Sequence, residues 1–223
     1  LMLFSVTGMM LLSSTRELIS IYVALELTSL PIAALSAFLP NRKSVESGLK
    51  FLILSGVSSA LLLYGMVYIY GFTGTTILSE IFENLQMMQG TGELDATIPF
   101  GSYALLFGIV IAISGFAFKI AAVPAQMWVP DVYEGSPTTV TAFLSVASKA
   151  AGFAVILRVV YTAFNTSGGE PDLTLDWSAL FAVLAVVSMA VGNLMALSQT
   201  NIKRLLAYST VAHAGYILVG LAA

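Results

Sequence analysis

Long runs of apolar residues constrain the fold of this chain most. A helix rises about 1.5 Å per residue, so about 20 apolar residues cross the hydrocarbon core of a bilayer. Hydrophobic residues make up 58% of the chain and charged residues only 9%, against roughly 25% charged residues in a soluble domain. The apolar runs cover roughly residues 1–15, 17–39, 45–71, 100–123, 137–164, 177–197 and 203–223. The sequence therefore predicts an all-α, polytopic bundle of about seven transmembrane segments, forming a single membrane domain over residues 1–223.

Composition also excludes several functional classes. The chain has no cysteine, which rules out thiol catalysis and cysteine-based metal sites, and its single histidine, His213, argues against a histidine-based metal cluster. The net charge of −3 provides no basic face for nucleic acid. Both ends of the sequence lie inside apolar runs without a charged leader, so we expect a fragment of a longer protein and no signal peptide.

The charges in the connections predict the orientation. Basic connections mark the cytoplasmic side of a membrane protein. The connections 72–99 and 165–176 contain acids but neither Lys nor Arg, and they are predicted outside. The connections predicted inside are 40–47, 124–136 and 198–204. Arg16, which would lie outside beside an acid, is the exception.

Two ionisable residues lie deep inside apolar segments. Such residues cost about 2.5–3.5 kcal/mol each on insertion scales and are candidates for function. Glu26 lies too far along its helix for a short carboxylate to reach the interface, and Lys149 lies near mid-membrane when counted from Pro137. The structural alternatives are a protonated or paired buried acid at Glu26 and a snorkelling lysine at Lys149.

Lys119 stands close to two helix breakers, Pro124 and Pro130. Counted along a straight helix, it lies near an interface, where snorkelling would explain it. A break after Lys119 would instead place irregular backbone at membrane depth, which is tolerated only within protein or beside a wet cavity. Broken helices of this kind form ion sites in transporters. The sequence therefore predicts a discontinuous helix, broken between Lys119 and Pro130, with a functional lysine at the break.

The remaining ionisable residues in the segments have less specific interpretations. Lys50 is either an interface anchor or a functional lysine. His213 either relays protons through its two ring nitrogens or is a hydrogen-bonded packing residue. Ser136 and Pro137 are expected to start the next helix, as its N-cap and its first residue. Interface anchoring is the simpler interpretation for Arg158, Lys203 and Arg204.

Three stretches carry a resemblance to a known family. They read VALELTSLP, FKIAAVPAQMWVPDVYEGSPTTVTAFLSVASKAAG and GNLMALSQTNIKRLLAYSTVAHAGYILVG. In order and spacing they are similar to the antiporter-like membrane subunits of NADH-quinone oxidoreductase, respiratory complex I, and most of all to the subunit N (subunit 2) group. The resemblance covers nearly the whole chain except the connections 73–99 and 165–176.

This resemblance implies an architecture and a set of roles. The architecture is one antiporter-like five-helix repeat with flanking helices, including one broken helix. Glu26 would be the acid of the fifth helix of the family, Lys119 the lysine of the broken seventh, and Lys149 the lysine of the eighth. Lys50 and His213 are further candidates. The implied function is proton translocation along a buried axis of these residues and water, driven by quinone reduction elsewhere in the complex.

The resemblance also implies partners. We expect no cofactor or metal bound by this chain, with NADH, FMN, iron–sulfur clusters and quinone in partner subunits of a hetero-oligomer. The expected location is the bacterial plasma membrane, with an organellar inner or thylakoid membrane as the alternative, and no nucleic-acid partner is expected. A subunit of a multi-subunit Na⁺/H⁺ antiporter of the Mrp type is the alternative function, and a structural scaffold is a third. Glu26 and Lys119 do not distinguish a complex I subunit from an Mrp-type antiporter subunit, since both kinds of protein combine a buried acid with a buried lysine.

Overall fold

Helices make up almost all of the described structure. A computed structural model describes residues 1–91, 101–164 and 177–222. An isolated bridge between Glu17 and Ile77 is the only β-pairing in these ranges, so the all-α prediction is confirmed. The helices are α1 (Met2–Ser14), α2 (Leu18–Ser36), α3 (Arg42–Thr73), α4 (Leu78–Thr91), α5 (Gly101–Ile120), α6 (Trp128–Gly135), α7 (Thr138–Phe143), α8 (Lys149–Ala163), α9 (Trp177–Leu197) and α10 (Ile202–Ala222).

Within the described residues, six stretches are long and apolar enough to cross a membrane, and one of them is interrupted between two helices. They are Leu18–Ser36, Arg42–Thr73, Tyr103–Gly135, Thr138–Ala163, Ala179–Leu197 and Ile202–Ala222. The apolar helix α1 has 13 residues and is shorter than a full crossing requires. The predicted count of about seven segments therefore agrees with six full-length spans and one short apolar helix.

Small residues let neighbouring helices approach closely. A Cβ placed on Gly65 of α3 would lie 2.6 Å from the backbone oxygen of Gly108 on α5. A Cβ on Gly192 of α9 would lie 2.6 Å from the backbone nitrogen of Ala212 on α10. Close backbone contact through small residues is the usual way in which membrane helices associate, because lipid provides no hydrophobic force between them. These contacts fix α5 against α3 and α10 against α9.

The connections group at two ends of the bundle. At one end, Lys43 pairs with Glu134 at 3.0 Å and Arg204 pairs with Asp131 at 2.8 Å, which joins the three connections predicted inside. At the other end, the amide of Leu18 donates to the carbonyl of Thr76 at 2.9 Å. This grouping agrees with the predicted alternation of sides. The connection 165–176 and residues 92–99 lie outside the described residues.

The predicted outer connection 72–99 is not simply a loop, because Leu78–Thr91 forms the helix α4. Leu78, Ile81 and Leu85 are buried and give α4 one apolar face. Their spacing of three and four residues is the helical period, and α4 packs on α8 through this face. The charges of this connection do not indicate the helix, whereas its apolar spacing does.

Candidate functional site

The helix α5 ends abruptly after Ile120. Ala121 adopts the left-handed conformation, with φ of 61°. Its amide donates to the carbonyl of Phe118 at 3.1 Å, and the amide of Ala122 donates to the carbonyl of Ala117 at 2.9 Å. These two bonds form a Schellman motif, in which a left-handed residue ends the helix and occupies its last carbonyls. The predicted break between Lys119 and Pro130 is confirmed.

Buried partners satisfy the backbone beyond the break. The amide of Val123 donates to Ser188 Oγ at 3.0 Å, and Ser188 is fully buried on α9. Trp128 Nε1 donates to the carbonyl of Phe118 at 3.1 Å. The peptide bond between Val123 and Pro124 is cis, and a 3₁₀ turn, Ala125–Met127, leads into α6. The break itself is buried, since Ala121 and Ala122 are fully buried, whereas Pro124 and Met127 further along the irregular segment are exposed at the surface of the chain.

Lys119 is buried in the last turn of α5 and is 7% exposed. Its Nζ donates a hydrogen bond to Ser29 Oγ on α2. Nζ also lies 6.0 Å from the ring centroid of Phe118. The C-terminal end of a helix carries partial negative charge and favours a cation. Straight counting placed Lys119 near an interface, but the break leaves it between helices.

Glu26 lies on α2, three residues before Ser29, and therefore shares one face of that helix with it. Its Oε1 is buried, and no hydrogen-bond partner for this atom exists among the described residues. Glu26 attracts Lys119 electrostatically, although within the described ranges no ion pair of 4.0 Å or less joins them. The Ser29 hydroxyl is the direct partner of the lysine and connects α5 to the helix that carries Glu26.

Lys149 begins α8, directly after a π-helical turn at Leu144–Ser148. The lysine is 6% exposed, and its Nζ donates to the carbonyl of Thr210 on α10 at 3.0 Å. Single π-helical turns inside α-helices occur frequently at functional sites. The mid-membrane depth of Lys149 stays a prediction, and neither the π-helical turn nor the Thr210 acceptor was predicted from the sequence.

Gly152 brings the helices of the two buried lysines together. It lies three residues after Lys149, so it shares one face of α8 with that lysine. A Cβ at Gly152 would lie 3.0 Å from Ile120 Cγ2 and 3.7 Å from the Cβ of Lys119. The end of α5 and the start of α8 therefore meet where Gly152 leaves room.

Lys50 belongs to a different group of charges, which we call the ionic cluster. This cluster joins α3, α6 and α10 and consists of Lys43, Glu46, Lys50, Asp131, Glu134 and Arg204. Asp131 contacts Lys50 and Arg204, each at 2.8 Å. A cavity of about 200 Å³ lies among these side chains. The described contacts of Lys50 are with cluster acids, not with Glu26 or Lys119.

The segment after α6 corrects one prediction. Ser136 lies at the C-terminal end of α6, and α7 begins at Thr138 with Pro137 in the N-cap position. The predicted N-cap at Ser136 was therefore wrong by one residue. The Ser136 hydroxyl instead hydrogen-bonds the Ser47 hydroxyl at 3.1 Å, so the contact between α3 and α6 uses it.

Two residues interpreted as anchors make specific contacts. Lys203 Nζ donates to the Ser136 carbonyl at 2.9 Å. Arg158 Nη1 donates to the Ser14 carbonyl at 2.7 Å, at the end of α1. Both cations thus bind orphan carbonyls at helix C-termini.

His213 lies on an exposed face of α10. Its ring packs edge-on against Tyr216, with centroids 5.4 Å apart. It lies one turn along α10 from Thr210, the acceptor of Lys149. A relay role for His213 stays a prediction.

Comparison with known proteins places this geometry in a family. A family model described as NADH:quinone oxidoreductase/Mrp antiporter, TM, matches residues 15–223. NADH-quinone oxidoreductase subunit N of Dehalococcoides mccartyi is 48% identical over 100% of this chain and 44% of the relative. The corresponding subunit of Moorella thermoacetica is 49% identical over 99% of this chain and 43% of the relative. The chain thus spans less than half the length of these relatives.

Solved structures show the same fold. A chain of respiratory complex I from Thermus thermophilus matches with a TM-score of 0.78 and 36% identity, over 98% of this chain and 43% of that one. A chain of the Mrp complex from Dietzia sp. matches with a TM-score of 0.81 and 23% identity, over 99% of this chain and 38% of that one. At this lower identity the likeness concerns the fold alone. Together with the broken α5 and the buried lysines, these matches establish that the chain belongs to the NADH:quinone oxidoreductase/Mrp antiporter membrane family.

Proposed function

We propose that this chain is the proton-translocating part of a membrane subunit of NADH-quinone oxidoreductase. Quinone reduction elsewhere in the complex drives proton movement through Glu26, Lys119 and Lys149. One observation supports this proposal most directly. Both lysines are buried at helix irregularities, and each Nζ donates to an uncharged oxygen rather than to a carboxylate.

An uncharged acceptor suits a lysine that must change its protonation state. A buried cation locked to a carboxylate is held in its charged form. A hydroxyl or carbonyl oxygen accepts a hydrogen bond from an ammonium or from a neutral amine, because both carry N–H donors. Lys119 and Lys149 therefore keep a partner whether or not they carry the extra proton. Glu26 lies close enough to attract Lys119 without holding it.

The relatives support the identity of the larger assembly. Those quoted above are named as subunits of NADH-quinone oxidoreductase. We infer that the chain works in a hetero-oligomer in the bacterial plasma membrane, with NADH, FMN, iron–sulfur clusters and quinone bound by other subunits. The Mrp-type Na⁺/H⁺ antiporter remains the competing function, supported by the shared fold.

The test uses the full-length subunit in its assembled complex. Lys119→Met and Lys149→Met should each lower the rate of proton pumping by about 100-fold, because one positioned acid–base group contributes at least about that factor to a proton-transfer rate. Glu26→Gln should lower pumping more than it lowers the amount of complex in the membrane. Lys43→Met is the matched control, since the Lys43 side chain is 77% exposed and its loss should leave pumping unchanged.

The same preparation separates the alternatives. Proton pumping and quinone reduction are measured in membrane vesicles, and complex content is measured by immunoblot. Normal pumping by both lysine variants would contradict the proposal and favour a scaffold. A purified complex that exchanges Na⁺ for H⁺ without any quinone reductase activity would favour the antiporter.

A further inference from the structure

We propose that Ser29 is a positioning residue that holds Lys119 apart from Glu26. It keeps the acid–lysine pair open, so that closing of the pair is a separate step. This inference rests on the proposed function and adds a residue that controls it. Ser29 acts through Lys119 and does not itself carry the proton in this proposal.

The geometry around Ser29 carries the argument. Ser29 is 1% exposed, and its hydroxyl donates to the carbonyl of Leu25 in the preceding turn of α2. That bond uses the only hydroxyl hydrogen and leaves the oxygen lone pairs free. The oxygen then accepts the hydrogen bond from Lys119 Nζ. The hydroxyl is thereby fixed as an acceptor that faces the lysine.

The unused acceptor on Glu26 supplies the second observation. Its Oε1 is buried without a hydrogen-bond partner in the described part of the chain. A buried carboxylate oxygen left unpaired is costly, and a lysine ammonium is the partner that would satisfy it best. Lys119 nevertheless bonds to Ser29, one turn further along the same face of α2. Glu26 and Lys119 are therefore not in direct contact, and the lysine is hydrogen-bonded to an uncharged hydroxyl instead.

Loss of the hydroxyl should close the pair. In Ser29→Ala, Lys119 loses its resting acceptor, while Glu26 Oε1 remains unsatisfied nearby. The ammonium should move to the carboxylate and stay there, since a buried ion pair with a charge-assisted hydrogen bond is hard to open. We expect the rate of pumping to fall about tenfold, which corresponds to the net free energy of one hydrogen bond to a charged group.

A double-mutant cycle separates positioning from simple packing. Ser29→Ala is made in the full-length subunit, alone and together with Glu26→Asp, which shortens the acid by one methylene and draws it away from Lys119. The cost of Ser29→Ala should shrink from about tenfold to twofold or less in the Glu26→Asp background. Ser29→Thr keeps the hydroxyl and should restore pumping.

The control is Ser55→Ala. Ser55 is 3% exposed and donates to the carbonyl of Leu52 in its own helix. Its loss should leave pumping unchanged. Equal losses from Ser29→Ala in both backgrounds, or normal pumping by Ser29→Ala, would overturn the role of Ser29 if Lys119→Met still lowers pumping about 100-fold. Normal pumping by Lys119→Met would overturn the proposed function and this inference together.

Discussion

Gly152 makes the sharpest test of how the two buried lysines are brought together. It allows α8 to approach the end of α5, where a Cβ would meet Ile120 Cγ2 at 3.0 Å. The same Cβ would lie 3.7 Å from that of Lys119. A side chain at this position should push α8 away from α5 and displace both lysines from their oxygen acceptors.

The expected cost depends on two opposing effects. Gly→Ala inside a helix gains about 1 kcal/mol of helix propensity. Overpacking of a tight contact costs about 1–3 kcal/mol. Gly152→Ala should therefore lie between neutral and about 2 kcal/mol destabilised. Gly152→Val adds two further methyl groups and gains less propensity, so its loss should lie near the upper end of the overpacking range, about 3 kcal/mol.

The assay is the temperature at which the assembled complex loses quinone-linked proton pumping. Gly56→Ala is the matched control, because a Cβ at Gly56 meets nothing within 4 Å. The expected order of stability is Gly56→Ala, wild type, Gly152→Ala and Gly152→Val, from highest to lowest. Pumping at low temperature should be equal in wild type and Gly56→Ala, lower in Gly152→Ala and lowest in Gly152→Val. Gly152→Val with the stability and pumping of Gly56→Ala would refute the close contact.

Three further predictions concern the break and the ionic cluster. Asp131→Asn removes two partly exposed ion pairs, so it should cost about 1 kcal/mol of stability, and the difference in heat inactivation should shrink at high salt. Ala121→Gly should raise stability by about 1 kcal/mol because it relieves a left-handed residue, whereas Ala122→Gly should not. Ser188→Ala leaves the amide of Val123 without its buried acceptor and should cost about 1–3 kcal/mol in the same heat-inactivation assay.

Local sequence signals predicted the spans and the helix break. Apolar length indicated the membrane helices, and Lys119 followed by Pro124 and Pro130 indicated the discontinuity. Neither proline marks the end of α5, however, since the helix stops at Ile120 through the left-handed Ala121. Glycine is the usual signal for such an end. An alanine at this position is not a sequence signal of helix termination, so the end of α5 could not be predicted from the local sequence.

The partners of the buried charges could not be predicted, because they lie far away along the chain. Ser29 and Lys119 are 90 residues apart, and Lys149 and Thr210 are 61 residues apart. Hydropathy identifies the buried charge that is costly, but it contains no information on which oxygen accepts the hydrogen bond from that charged group. One signal was present for Ser29, since it follows Glu26 by three residues and must share its helix face.

The contrast between the two groups of charges connects structure to function. In the ionic cluster, three cations meet three acids at the partly exposed end of α6, where each pair contributes little alone but the set fixes α6 between α3 and α10. The two buried lysines have no such partner among the described residues and use neutral oxygens instead. Burial makes an ionised group costly, and this cost supports the proposal that a lysine kept there without a fixed counter-charge changes its protonation state. The fold therefore separates the charges that hold helices in place, in the ionic cluster, from the two buried lysines at the broken end of α5 and at the start of α8, for which we propose proton transfer.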